Sequence, residues 1–108
     1  MRERDIQGKV IGYARNRGVI ARKLAFGEGW PDYMLLYRGR ILFFEFKGSN
    51  GHLTALQVYM GNLLRKQGFE VLVIDSVAEG QVEVDAFVDT GVVDYSDITK
   101  ALVESKRK

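Results

Sequence analysis

The sequence predicts an α/β fold, a mixed β-sheet flanked by helices, with elements in the order α-β-β-β-α-β-α. Three features carry this expectation. Apolar residues recur at helical spacing in two separated stretches, each closed by a glycine. Between them lie strand-type runs, two of which flank a short turn at Arg38-Gly39-Arg40. A continuous apolar run of strand length, Phe69 to Ile74, follows the second helical stretch. Helices that alternate with strands in this way bury their apolar stripes on the faces of one sheet.

The elements follow in order. Ile6, Val10, Tyr13 and Ala14 mark the first helix, predicted over residues 3–17 and stopped at Gly18. Val19 to Phe26 reads as a strand, broken by Gly27-Glu28-Gly29 before Trp30-Pro31. Tyr33 to Tyr37 and Ile41 to Lys47 form a hairpin. After the loop Gly48 to Leu53, "TALQVYMGNLLRKQG" reads as the second helix, with Leu56, Met60, Leu63 and Leu64 on its buried stripe. Phe69 to Ile74, rich in β-branched residues, is expected as an interior strand. A third helix is expected near Val77 to Val88, then a weaker helical stretch from Asp97 to Val103 and a charged tail, Ser105 to Lys108. Val82, Val84, Phe87 and Val88 fit either a dimer contact or ordinary core.

Length and composition set the bounds. The 108 residues, 46% of them hydrophobic, suffice for one modest core, so residues 1–108 are expected as a single domain: a core over 3–75 and a helical extension over 76–108. No apolar run approaches a membrane span, and the expectation is a cytoplasmic protein without a membrane partner. The absence of cysteine excludes disulfides and thiolate metal sites, and the single histidine, His52, excludes an all-histidine site. A bound metal would be a hard ion held by oxygen. The net charge of +2 conceals a split, with 12 Lys+Arg against 7 Asp+Glu in residues 1–75 and 4 against 7 in residues 76–108. A polyanion would dock on the first part.

The hairpin places acids where packing gives no reason for them. With Arg38-Gly39 as a two-residue turn, Tyr37 pairs with Arg40, and five further residues along each arm bring Asp32 across from Glu45. Side chains in that relation repel if they carry like charge. Alternation puts Leu42, Phe44 and Phe46 on the core face, and Phe43, Glu45 and Lys47 on the other. Two carboxylates and one ammonium thus converge. One reading is a solvated strand face with weak ion pairing. The other is a divalent cation between Asp32 and Glu45, with Mg²⁺ favoured by one or two carboxylates plus waters and phosphate oxygens, and with Lys47 beside it for phosphodiester hydrolysis.

A glutamate in the first helix ("RERDIQ"), then "GWPD", then "FFEFK", then a glutamine opening the next helix ("LTALQ") appear in the order found in PD-(D/E)xK nucleases. In detail the chain resembles the small stand-alone VRR-NUC (virus-type replication-repair nuclease) domains of phage and bacteria, over residues 3–75. The resemblance implies a restriction-endonuclease-like core and a metal-dependent endodeoxyribonuclease using Mg²⁺ or Mn²⁺, located in a bacterial or phage-infected cytoplasm. It implies Asp32 and Glu45 as metal-binding acids, with the backbone carbonyl of Phe46 as a further ligand and Lys47 as the catalytic lysine. Glu3 resembles the acid that approaches the metal, directly or through water, and Gln57 the glutamine beside the lysine. The similarity of stand-alone members to Holliday-junction resolvases implies a homodimer acting on branched DNA.

Several of these residues have a second reading from the sequence. Glu3 suits the dipole of the first helical turn. Thr54 and Gln57 have capping-box spacing, and a capping Gln57 is expected to be unable to serve fully at the site as well. Lys23 fits either the cleft or a snorkelling surface position. Trp30 could flank bound DNA or seal the hairpin, with packing the better reading, and His52 could reach a phosphate but reads more readily as a bystander in its loop. Arg15, Arg17, Arg22, Arg38 and Arg40 are candidate phosphate contacts. Functions of other kinds remain: a DNA-binding or assembly module that does not cut, a nuclease acting on ends or flaps, and a protein–protein adaptor with a structural ion network.

Overall fold

The computed structural model describes residues 1–89; the expected helical stretch Asp97 to Val103 and the tail Ser105 to Lys108 lie outside them. The elements are α1 (Glu3–Asn16), β1 (Ile20–Lys23), β2 (Tyr33–Tyr37), β3 (Arg40–Phe46), α2 (Ala55–Lys66), β4 (Glu70–Ile74) and α3 (Val77–Asp89), in the predicted order. The sheet runs β1-β2-β3-β4, antiparallel through the first three strands and parallel between β3 and β4. The parallel step follows from α2, which carries the chain back along the sheet before β4 begins.

Each face of the sheet has its own apolar layer. On one face Ile6, Val10, Ile11 and Ala14 of α1, with Val84, Phe87 and Val88 of α3, bury Leu35, Leu42, Phe44, Phe46 and Ile74. Each buried phenyl ring there contributes about 1.5–3 kcal/mol relative to an exposed one. On the other face α2 sets Leu64 against Phe43 and Val71, with Trp30, Met34 and Met60 at the margin. The two helices of the first face meet closely. A Cβ at Gly80 would fall 2.8 Å from Val10 Cγ1 and 3.1 Å from Ile74 Cγ2, so only glycine lets α3 approach this far.

Three expectations need correction. β1 is shorter than predicted, Ile20–Lys23, because the pairing with β2 ends where the chain enters the Gly27 and Gly29 loop, both at positive φ. β4 is an edge strand among the described residues; its apolar run reflects burial of both faces by helices, not a neighbour on both sides. On α2 the buried positions are Gly61 and Leu64, whereas Leu56 and Leu63 are 41% and 38% exposed. The helix covers only the margin of the sheet, so its apolar stripe is wider than the surface available to bury it. Of the residues left open between a dimer contact and core, Val84, Phe87 and Val88 are core, and Val82 is exposed.

Candidate active site

The hairpin turn sets the geometry of the acids. Arg38 and Gly39 have φ of 47° and 77°, the left-handed conformation of a two-residue turn whose twist suits paired strands. The register follows as expected: Tyr37 opposite Arg40, through to Tyr33 opposite Phe44. Asp32 is the next residue beyond this ladder, level with Glu45. There its Oδ2 accepts a hydrogen bond of 2.7 Å from the Phe46 amide, while its backbone carbonyl accepts one of 2.8 Å from Leu24. One residue therefore closes both the β2–β3 and β1–β2 pairs at the same end of the sheet.

The loop before Asp32 is held by close packing. Gly29, at φ of 86°, lies so near α2 that an added Cβ would be 2.9 Å from the Leu56 carbonyl oxygen. Trp30 packs into the layer under α2 and takes the edge-to-face contact of Phe26 at 5.1 Å. Trp30 thus acts as packing, as its position suggested. The clamped loop, with the bonds from the Phe46 and Leu24 amides, holds Asp32 level with Glu45.

Glu45 is the one buried charged residue among the described residues, 4% exposed. Its Oε1 accepts a 3.0 Å hydrogen bond from Gln57 Nε2. Burial pushes its carboxyl up to about 8; the charge of Asp32 and a hydrogen bond to it act in the same direction, Glu3 adds slightly, and Lys47 opposes the shift. Carboxylate oxygens of Glu3, Asp32 and Glu45 all lie within 4.8 Å of one another. Three acids so placed, one held out of water, are a poor packing arrangement and a good oxygen donor set. They fit a hard divalent cation.

The supporting residues converge from three further elements. Gln57 fills both of the roles that the sequence set in competition: its Oε1 accepts from the Thr54 amide at 2.9 Å, closing the capping box, while its Nε2 holds Glu45. An amide has two ends, and at the third position of α2 one points back to the cap and the other into the sheet. Glu3 begins α1, where fraying would be expected, but the Met1 nitrogen donates to Ser49 Oγ at 3.0 Å and the Ser49 amide returns a bond to the Met1 carbonyl. This strap joins α1 to the loop after β3. Lys47 is half-buried and its amide donates to the Ile74 carbonyl, fixing its backbone on β4.

The structure separates the basic candidates. Lys23 lies opposite Tyr33, beside Asp32, and lines an open depression with Glu3 and Gln7. Arg22 pairs with Met34, two residues from Asp32 on the acids' side of the sheet. Arg38 and Arg40 lie at the other end of the hairpin, Arg40 about 17 Å from Glu45 by strand rise. Arg40 donates to the Phe87 carbonyl at 2.5 Å and stacks over the Phe87 ring. Arg15 is about 18 Å along α1 from Glu3 and donates to the Ala21 carbonyl, and Arg17 is paired to Asp85 and Asp89 of α3. His52 is exposed in its loop. Arg2 and Arg4, which sequence reasoning passed over, line the depression beside Glu3. Their signal was the alternation of charge in "RERD".

Against solved structures, the chain matches one titled "VRR_NUC domain" with a TM-score of 0.68 and 28% sequence identity, over 83% of this chain and 97% of that one. The fold is that of a VRR-NUC domain. The likeness spans nearly the whole of that domain. No family model matches the sequence, and no curated protein does. Among the described residues, no helix is long and apolar enough to cross a membrane.

Proposed function

We propose that this VRR-NUC-like domain is a Mg²⁺- or Mn²⁺-dependent endodeoxyribonuclease of the PD-(D/E)xK type, acting as a homodimer on structured, branched DNA. One observation carries the reading. Asp32 and the buried Glu45 are brought together with Glu3, with no cationic side chain within ion-pairing distance among the described residues. A purely structural network would have answered these charges with a cation, and a binding module has no use for paired acids that would face DNA.

Asp32, Glu45 and the carbonyl of Phe46 would hold the cation, with Glu3 as a further donor, directly or through water. Bound there, the ion supplies Lewis-acid activation of the attacking water and stabilisation of charge on the phosphate. The chain's own residues do the rest. Gln57 fixes the rotamer of Glu45, and the Phe46 amide fixes that of Asp32. Lys47, immediately beyond Glu45 and Phe46, places its ammonium beside the phosphate, where it stabilises developing negative charge as water oxygen bonds to phosphorus and the leaving oxygen departs. Two such sites related by a two-fold axis suit paired cuts across a junction.

The test is cleavage of labelled four-way junction, flap and duplex DNA across a titration of Mg²⁺ and Mn²⁺. Lys47→Ala should keep DNA affinity within about an order of magnitude and lose about 10²–10³ in turnover. Wild-type protein that shifts DNA on a gel but nicks none of the three substrates at any metal concentration would reduce the domain to a binder. Cleavage confined to flaps or ends would keep the chemistry and replace the junction as substrate.

A further inference from the structure

The acids account for one phosphate and leave open where the rest of the strand lies. Beside Glu3 the surface opens into a depression of about 520 Å³ lined by Arg2, Glu3, Arg4, Gln7 and Lys23. Three of the five are cations, and a carboxylate oxygen of Glu3 lies within 4.8 Å of those of Asp32 and Glu45. None of the three cationic side chains has a hydrogen-bond or ion-pair partner among the described residues. Some basic side chains elsewhere are held within the fold, Arg17 by two aspartates and Arg15, Arg40 and Arg65 by carbonyls; what sets these three apart is that they share one hollow beside the acids.

The backbone that carries these cations is also held. Arg2 precedes α1, and its carbonyl accepts from the amides of Asp5 and Ile6. The strap between Met1 and Ser49 holds the same segment against the loop after β3, where an added Cβ at Gly48 would lie 3.4 Å from the Glu3 nitrogen. Lys23 comes from a different element, the last residue of β1, and its backbone is held opposite Tyr33. Two separate segments thus bring positive charge to one hollow whose wall is the first turn of α1, which also carries Glu3.

We infer that this depression is a phosphate subsite, in which Arg2, Arg4 and Lys23 hold the sugar-phosphate backbone of the substrate strand next to the phosphate that is cleaved. The inference rests on the nuclease reading for the word substrate, but not for the contact itself. A strand whose scissile phosphate sits at Glu45 and Asp32 passes Glu3 on this side and meets three cations in turn. Their contribution is independent of base sequence, because it is made to phosphate.

Each phosphate contact removed should lower the slope of log affinity against log salt by about one. Binding of a labelled four-way junction and of duplex is measured in metal-free buffer over a salt series, so that no cleavage intervenes. Arg2→Ala/Arg4→Ala/Lys23→Ala should flatten the slope by about two to three and weaken binding at least tenfold near physiological salt. Lys66→Ala, at the far end of α2, should leave both unchanged. Lys23→Ala alone, outside the N-terminal strap, should flatten the slope by about one and keeps the test decisive if the triple variant does not fold. An unchanged slope in folded variants would overturn the subsite while cleavage by wild type left the nuclease reading standing. A wild type that binds with the expected slope, loses it in the variants and never cuts would do the reverse.

Discussion

Two regions of the molecule bring acids together, and they handle the charge in opposite ways. Across the seam between α1 and α3, Asp85 receives the Tyr13 hydroxyl at 2.5 Å and an Arg17 guanidinium nitrogen, and Asp89 receives the other nitrogen at 2.7 Å. These carboxylates are partly exposed and each has a cation. At the far end of the sheet, Glu45 is buried, faces Asp32 and Glu3, and has only an uncharged amide as its side-chain donor. The first arrangement holds two helices together. The second costs stability unless something positive enters, which is how a site for a cation differs from an ion pair made for packing.

The most damaging way to test this contrast is Glu45→Gln. It keeps the shape and the acceptor for Gln57 but removes the charge, so metal-supported cleavage should fall by about 10³. In metal-free buffer the same change should help the fold. The Glu45 carboxyl, raised from an ordinary 4.5 to about 8, takes up a proton on folding between those values. Its contribution to stability therefore declines as pH rises through that window and is least above about 8. Thermal melts of wild type should show the decline, Mg²⁺ should offset it at the alkaline end, and the glutamine variant should lack it. A wild-type melt that is flat from pH 5 to 8 would contradict the burial of an unanswered acid.

Gln57→Glu gives a smaller, more discriminating effect. A carboxylate can still accept from the Thr54 amide, so the capping box and the stability of α2 should survive, with little change in melting temperature in Mg²⁺. It loses the donor to Glu45 and adds a fourth negative charge, and cleavage should fall about tenfold. If activity is unchanged, Gln57 is a cap and nothing more. Smallest of all is Asp85→Ala, which removes the shared acceptor of the α1–α3 seam. It should lower the melting temperature by a few degrees and leave cleavage per folded molecule as it was. Lost cleavage there would mean that the two regions are coupled.

Much of this was legible in the sequence because it depends on local rules. The two-residue turn at Arg38-Gly39 counts out the register, and register alone sets Asp32 level with Glu45. Thr54 and Gln57 announce their cap by spacing. What misled was competition for surface. The apolar stripe of α2 could be counted, but not how little of the sheet remained for it to cover, and the apolar run of β4 read as interior because helices on both faces give the same pattern as neighbours on both sides.

Order along the chain fixed which residue types would be available at the end of the hairpin: acids on adjacent arms, an amine two residues on, an amide at the start of the next helix. Their convergence is long-range. Glu3 comes to Asp32 and Glu45 because α1 packs across the sheet and a strap ties its first turn to the loop beyond β3, and Arg2, Arg4 and Lys23 share a hollow because α1 begins where β1 ends in space. Spacing in a sequence specifies faces and turns, whereas which faces meet, and which charges go unanswered when they do, depends on the packing of elements far apart in the chain.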